Sequence, residues 1–270
     1  AAGTLVGAVI PASDPDVLSV PFSTLTYSIV GGDGASLFVI GSASGQIAVA
    51  AGVVLDFETK NIYTVTVRVS DGGSPSSTAD ANITINILNA NDPPSLFGPW
   101  TRTIAENAAS PAAAGVPVNA SDPDKGSQLS FAITGGNGTG VFQINKCSGQ
   151  IELAASSALN FQTTRVYSLV VTVTDDGVPA MSDTKTYFVF VVDANDPPVV
   201  ADQTRTVNEN SGTGTLVGSP IVWSDPDSFG GNTAWFTQSF SIVTGDRGIF
   251  AISSTTGQIS ITNGGSTLLN

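Results

Sequence analysis

Three short motifs return along this chain in the same order, and their spacing decides most of what it can fold into. Ser-Asp-Pro-Asp stands at Ser13–Asp16, Ser121–Asp124 and Ser224–Asp227, with offsets of 108 and 103 residues between Asp14, Asp122 and Asp225. Gly-Gln-Ile stands at Gly45–Ile47, Gly149–Ile151 and Gly257–Ile259. Asn89-Ala90-Asn91-Asp92-Pro93-Pro94 returns almost letter for letter as Asp193-Ala194-Asn195-Asp196-Pro197-Pro198. A repeat of about a hundred residues is one ordinary domain. The 270 residues therefore read as tandem copies: 1–95, 96–199 and 200–270.

Within the middle copy the apolar period is two, which is the pattern of strands. Strands are expected at Trp100–Ile104, Val116–Ala120, Leu129–Ile133, Val141–Ile144, Gln150–Leu153, Tyr167–Thr174 and Lys185–Val192. Turn residues such as Gly135-Gly136-Asn137-Gly138 and Asp176-Gly177-Val178-Pro179 separate them. Seven short strands with no helical period predict an all-β chain of tandem seven-stranded Greek-key, immunoglobulin-like β-sandwiches. The first and last copies align as truncated. Gly3-Thr4-Leu5-Val6-Gly7 matches Gly214-Thr215-Leu216-Val217-Gly218, which puts the first strand of copy one before residue 1. Leu268-Leu269-Asn270 falls where copy one has Leu55-Asp56, so the last two strands of copy three are expected to be missing.

The acids are few but placed. Charged residues make up 11% of the chain, yet the net charge is −13 and the pI about 4.1. Such a balance excludes the Lys/Arg clusters that bind nucleic acid or anionic lipid. No apolar run approaches the ~20 residues of a membrane span, so no membrane insertion by this segment is expected. With the copies aligned, five acidic elements recur in fixed order. They are Glu-Asn after the first strand, Asp-Pro-Asp after the second, Leu-Asp-Phe-Glu before the sixth, an Asp ending that strand, and the Asn-Asp-Pro-Pro linker. Acids and amides gathered at strand ends beside two prolines, which stiffen the chain, point to a metal-clamped joint between tandem domains.

In that order and at that period these motifs resemble tandem cadherin repeats over essentially the whole chain. The resemblance implies calcium (Ca2+) bound between successive repeats, an ion that takes six to eight oxygens. Carried over residue by residue, the first joint would use Asp56, Glu58, Asn91 and Asp92 with the carbonyls of Ala90 and Pro93. From the second repeat it would add Asp122, Asp124 and Asp175. Proline replaces the usual asparagine at Pro93, but the ligand there is a backbone carbonyl, which proline keeps. The second joint would use Glu106, Asn195, Asp196, Asp225 and Asp227, with Asn160 and Gln162 standing where the first joint has Asp56 and Glu58. Two carboxylates are thereby lost, which predicts weaker calcium binding there.

The resemblance further implies an extracellular adhesion or spacer protein, its parent membrane-anchored, meeting other copies or surface proteins through distal repeats. The alternative is a spacer or carbohydrate-binding module of a secreted enzyme. The residues argue against catalysis in the chain itself. There is no histidine to act as base for the single cysteine, Cys147, and the carboxylates belong to repeated linkers rather than to one cleft. The glycine-rich stretches Gly31–Gly34 and Gly135–Gly138 precede strands and lack a P-loop lysine. Trp223, where the other copies have alanine, reads as a packing anchor. Sequons at Asn82, Asn119 and Asn137 permit a secreted setting.

Overall fold

The structure, a computed structural model, describes residues 2–15, 24–229, 238–245 and 248–262. Asp16 and the segment 263–270, where the shortened end of the third copy was expected, lie outside the described residues. The first copy contributes β1 (Leu5–Val6), β2 (Thr26–Gly31), β3 (Phe38–Ile40), β4 (Ile47–Val49), β5 (Ile62–Ser70) and β6 (Thr78–Asn86). The second contributes β7 (Ser95–Phe97), β8 (Thr101–Ala105), β9 (Asn119–Ser121), β10 (Ser130–Gly135), β11 (Phe142–Ile144), β12 (Ile151–Leu153), β13 (Val166–Thr174) and β14 (Ser182–Val192). The third contributes β15 (Leu216–Val217), β16 (Phe250–Ile252) and β17 (Ile259–Ile261), with one 3-10 turn at Pro226–Phe229. Among the described residues no helix is long and apolar enough to cross a membrane.

The residues fall into two compact units, and the division does not follow the repeat boundaries. One unit is Ala1–Pro94 together with two loops of the second repeat, Ser121–Gln128 and Asp175–Met181; the other holds the remainder. In the first unit, sheets ordered β1-β4-β3 and β2-β5-β6 close on Phe38, Ile47, Val49, Val65, Val67 and Ile85. In the second, β10-β13-β14-β8 faces β11-β12 across a core that includes Ile151, Leu153, Leu169, Val171, Tyr187 and Val189, none exposed. These are the alternate residues of each strand, as the period-two pattern requires. β8 pairs with β14 in parallel, Thr101 opposite Phe188 and Ala105 opposite Val192. The third repeat shows a sheet ordered β15-β17-β16, the pattern of β1-β4-β3.

The expected strands of the middle repeat are all present with shifted ends. β9 is a three-residue piece rather than Val116–Ala120, because the run before it is occupied in holding Arg102: its guanidinium donates to the carbonyls of Val116 and Pro117 at 2.7 and 2.9 Å. β14 starts three residues earlier than expected, and β7 is an added strand. Two motifs acquire structural reasons. The Gly-Gln-Ile glutamine reaches across to an earlier carbonyl in every copy, Gln46 to Gly7, Gln150 to Gly115 and Gln258 to Gly218, at 3.0–3.2 Å. The glycine-rich stretches serve a bulged turn: Gly136 has φ +97°, and a Cβ there would sit 2.2 Å from the Ser168 carbonyl oxygen. Only glycine fits. Gly32 repeats the arrangement against Thr64. Trp223 packs edge-on against Phe240, ring centroids 6.3 Å apart, as a packing anchor does.

Candidate metal centres

The first centre forms within the first unit, where strand ends and the linker converge. Carboxylate oxygens of Glu58, Asp92 and Asp124 lie within 4.8 Å of one another. Backbone geometry holds them there. The Asp92 N–H donates to Asp124 at 2.7 Å, and Asn89 donates to its other oxygen at 2.7 Å. The Asp124 N–H in turn donates to Asp122 at 2.8 Å, the tight turn that Asp-Pro-Asp makes, and Ser127 donates to the second Asp122 oxygen at 3.1 Å. Asp56 accepts from the Thr59 N–H and hydroxyl, both at 2.9 Å, and so caps the loop that presents Glu58.

A second group adjoins it. One oxygen of Asp175, which is buried, accepts from Gly177 and Met181 at 3.0 and 2.9 Å; the other accepts from Asn91 at 3.0 Å. Asn91 also donates to the Pro179 carbonyl at 3.1 Å. A Cβ at residue 177 would overlap the Asn91 side chain, so glycine there is what lets the linker amide in. Among the described residues no hydrogen bond ties the carbonyls of Ala90 and Pro93 to the rest of the site.

Electrostatics mark the cluster as charge-crowded. Loss of water contact, then the neighbouring Asp124, Asp92 and Asp56, push the Glu58 carboxyl above its ordinary value. The donors from Asp92 and Asn89 hold Asp124 below it. At Asp175 burial works to raise the value, but the donors from Met181, Asn91 and Gly177 together outweigh it and the group is lowered. The three ion pairs among the described residues, Lys60–Asp33, Arg68–Asp80 and Lys185–Asp183, lie elsewhere.

The second centre lies in the second unit and is built differently. Glu106, 8% exposed, accepts the Ala194 N–H at 2.7 Å and the Phe161 N–H at 2.8 Å, tying linker to loop. Asp227, 1% exposed, accepts the Asp196 N–H at 2.8 Å, and its own N–H donates to Asp225 at 3.0 Å. Asn160 caps its loop through Thr163 at 2.8 Å, as Asp56 does through Thr59. Among the described residues Asn195 donates only to the carbonyl of Asp196, at 3.3 Å, whereas its counterpart Asn91 reaches across to Asp175 and Pro179. Gln162 donates through Nε2 to Asp193 and Asp227 at 3.2 and 3.3 Å, and its buried Oε1 has no hydrogen-bond partner among the described residues. Burial, then the nearby Glu106 and Asp227, raise Asp193 and Asp196; Asp225 adds to the rise at Asp196, while Arg165 opposes it at Asp193.

Asp193 was absent from the ligand set carried over by motif, and it alters the comparison between the centres. It stands where the first linker has Asn89. The first centre therefore has an acid on the loop (Glu58) and an amide on the linker (Asn89); the second has the amide on the loop (Gln162) and the acid on the linker (Asp193). One of the two carboxylates absent from the second centre's loop has moved to its linker. Each exchange is visible as a letter in the alignment, but only the 3.2 Å contact between Gln162 and Asp193 joins them.

Both sets have the donor chemistry of a hard divalent cation, but among the described residues only Glu58, Asp92 and Asp124 bring three carboxylates within reach of one ion. All the side-chain donors are carboxylate or amide oxygens, which suit calcium and not the sulfur- or imidazole-seeking metals. Oxygens on opposite sides of one calcium lie about 4.6–5.2 Å apart, twice its bond length, and the oxygens of the first cluster, within 4.8 Å of one another, are close enough to share one ion. The orphaned Gln162 oxygen, a buried acceptor lacking a donor, is what a cation would satisfy.

A family model described as Cadherin domain matches residues 1–88 and 101–192. The chain belongs to the cadherin family. Cadherin-23 of Homo sapiens is 33% identical over 258 residues, 90% of this chain and 8% of that protein. Protein dachsous of Drosophila melanogaster is 32% identical over 235 residues, 83% of this chain and 6% of that protein. This cadherin chain thus spans less than a tenth of these relatives' length. Among solved structures, mouse Cadherin-23 EC22-24 superposes with a TM-score of 0.70 at 22% identity, covering 97% of this chain and 83% of that one. Human CDH23 EC21-23 gives 0.67 at 26%, covering 97% and 88%. The fold is that of tandem cadherin repeats.

Proposed function

We propose that the chain is an extracellular stretch of an adhesion or spacer protein, made of cadherin repeats at 1–95, 96–199 and 200–270, whose joints are stiffened by calcium. The observation that carries the reading is the convergence of Glu58, Asp92 and Asp124 within 4.8 Å. These three acids come from one repeat, the linker and the next repeat. Asp56, Asn91, Asp122 and Asp175, with the Ala90 and Pro93 carbonyls, would complete the first set. Glu106, Gln162, Asp193, Asp196, Asp225 and Asp227, with Asn160 and Asn195, would hold the second.

Bound calcium would supply positive charge that the acids share. The chain's own contribution is to hold the acids close before any ion arrives. Asp92 and Asn89 fix Asp124, Glu106 pins the second linker, and Gly177 admits Asn91. Without a cation the like charges repel, and the linker loses the constraint that a shared ion imposes.

Small-angle scattering of the chain in calcium and in chelator tests the reading. A longer maximum dimension and a stiffer profile in calcium are expected. Identical profiles in both, with no calcium bound, would overturn it.

A further inference from the structure

The sequons lie outside both metal centres, and their amides are held in different ways. Asn137-Gly138-Thr139 follows β10, with Asn137 and Thr139 both exposed. The Asn137 side-chain oxygen accepts the Ser168 N–H at 2.6 Å and the Ser168 hydroxyl at 3.1 Å. A backbone N–H can only donate, so the atom facing it is Oδ1 and the outer atom is Nδ2. That nitrogen has no hydrogen-bond partner among the described residues.

Asn119, in β9, is held the other way round. It donates through Nδ2 to the Gly98 carbonyl at 3.3 Å, and a carbonyl can only accept, so the nitrogen is the engaged atom. β9 pairs with β7, and Asn119 stands just before the Asp122 ligand. At Asn82 the partner is the Thr66 hydroxyl, 2.8 Å away, which serves either amide atom, so the geometry there is neutral.

The first repeat shows the same turn without a sequon. Asp33-Gly34-Ala35 stands where the middle repeat has Asn137-Gly138-Thr139. Asp33 accepts the Thr64 N–H at 2.7 Å, as Asn137 accepts that of Ser168, and its other oxygen pairs with Lys60. Thr164 stands where Lys60 was. Three letters thus differ together: the inner bond is kept, the outer atom becomes an amide nitrogen without a cation, and a hydroxyl arrives at residue 139. The middle repeat also carries apolar surface beside this turn. Ser168 lies opposite Phe188 in the register of β13 and β14. Phe188 and Phe190 are each 41% exposed, where the first repeat has Thr84 and Asn86.

We propose that Asn137 is a site of N-glycosylation whose glycan screens the Phe188 side of the sheet, and that Asn119 is left bare. The proposal rests on the extracellular reading of the chain. The donor is a lipid-pyrophosphate-linked oligosaccharide. Nδ2 bonds to the anomeric carbon of the first sugar as that carbon's bond to the pyrophosphate oxygen breaks. The lipid pyrophosphate leaves with the electron pair, and one Nδ2 proton passes to a base of the transferase. Oδ1 is untouched, so both bonds from Ser168 survive. A sugar on the Asn137 nitrogen displaces no protein contact, as a bulky surface modification requires. On Asn119 the nitrogen faces the Gly98 carbonyl, and a sugar there crowds the β7–β9 pair.

The test secretes the whole chain from eukaryotic cells behind a cleavable leader. Its glycans are then removed enzymatically in heavy-oxygen water, which marks each asparagine that carried one. Asn137 should be marked in most chains, and Asn119 at least tenfold less often. Asn137→Asp and Thr139→Ala, the letters of the first repeat, should each remove one glycan from the intact mass and keep the parent's circular dichroism. Each should also about double the fluorescence of a dye that binds apolar surface, a rise that Phe188→Ser abolishes. A bare Asn137, Asn119 occupied as often as Asn137, or glycan-free variants with the parent's dye binding would overturn the proposal. Because the leader imposes the secretory route, a bare Asn137 overturns the site and leaves the extracellular reading standing.

Discussion

Replacing Glu106 by alanine separates two roles that the motif alone merges. As a ligand, Glu106 would matter only when calcium is bound. As placed, it also accepts two backbone N–H groups, from Phe161 at 2.8 Å and Ala194 at 2.7 Å, while only 8% exposed. A hydrogen bond to a charged group contributes about 1.5–3 kcal/mol. Both donors are only partly buried, so water recovers some of that, and the expected loss is about 2–4 kcal/mol. For a domain of this size that corresponds to a fall in midpoint of roughly 10–25 °C. The assay is thermal unfolding in chelator, with hydrogen exchange read at the Phe161 and Ala194 amides. Both amides should lose protection without calcium present. Glu106→Gln keeps one acceptor and should lose about half as much. An unchanged midpoint and unchanged protection in chelator would refute the reasoning and leave Glu106 a ligand only.

Three further changes have definite outcomes. Gly136→Ala should destabilise the middle repeat by more than about 2 kcal/mol in urea unfolding, since its Cβ meets the Ser168 carbonyl; Gly140→Ala, at φ +86° in open space, should cost only about 1 kcal/mol. The Asp183 carboxyl, held below its ordinary value by Lys185 first and by the Leu96 and Thr184 N–H groups against some burial, gives stability that is complete above the ordinary carboxylate range and lost as pH falls through its lowered value. Asp183→Asn should therefore lower the melting midpoint at pH 7, and the gap to the parent should close once the pH has fallen through the lowered value. Gln162→Glu restores the loop carboxylate beside Asp193, and calorimetry should find tighter calcium binding at the second centre, at the expense of stability in chelator.

Much of this molecule was legible as letters because repetition removes chance. The period-two runs at Tyr167–Thr174 and Lys185–Val192 gave the paired strands β13 and β14, since alternation is what burying one face of a sheet demands. Two of the three clustered acids stand in letters that repeat, Asp92 as Asp196 and Asp124 as Asp227, whereas Glu58 has only Gln162 as its counterpart. What the letters did not carry was contact between separate elements. Arg102 among carbonyls shortens β9, and nothing in a single arginine announces that. The exchange of acid and amide between Gln162 and Asp193 needed both positions placed in space. Phe188 and Phe190 read as ordinary strand residues until the register turned them outward.

The most direct measurement is calcium binding to the chain by isothermal titration, compared with Asp124→Asn, since Asp124 sits in the three-acid cluster and is held by both Asp92 and Asn89. The account predicts saturable binding in more than one class, with the tightest class lost or weakened at least tenfold in the variant. No heat of binding at millimolar calcium, or a variant that binds as the parent does, would contradict it.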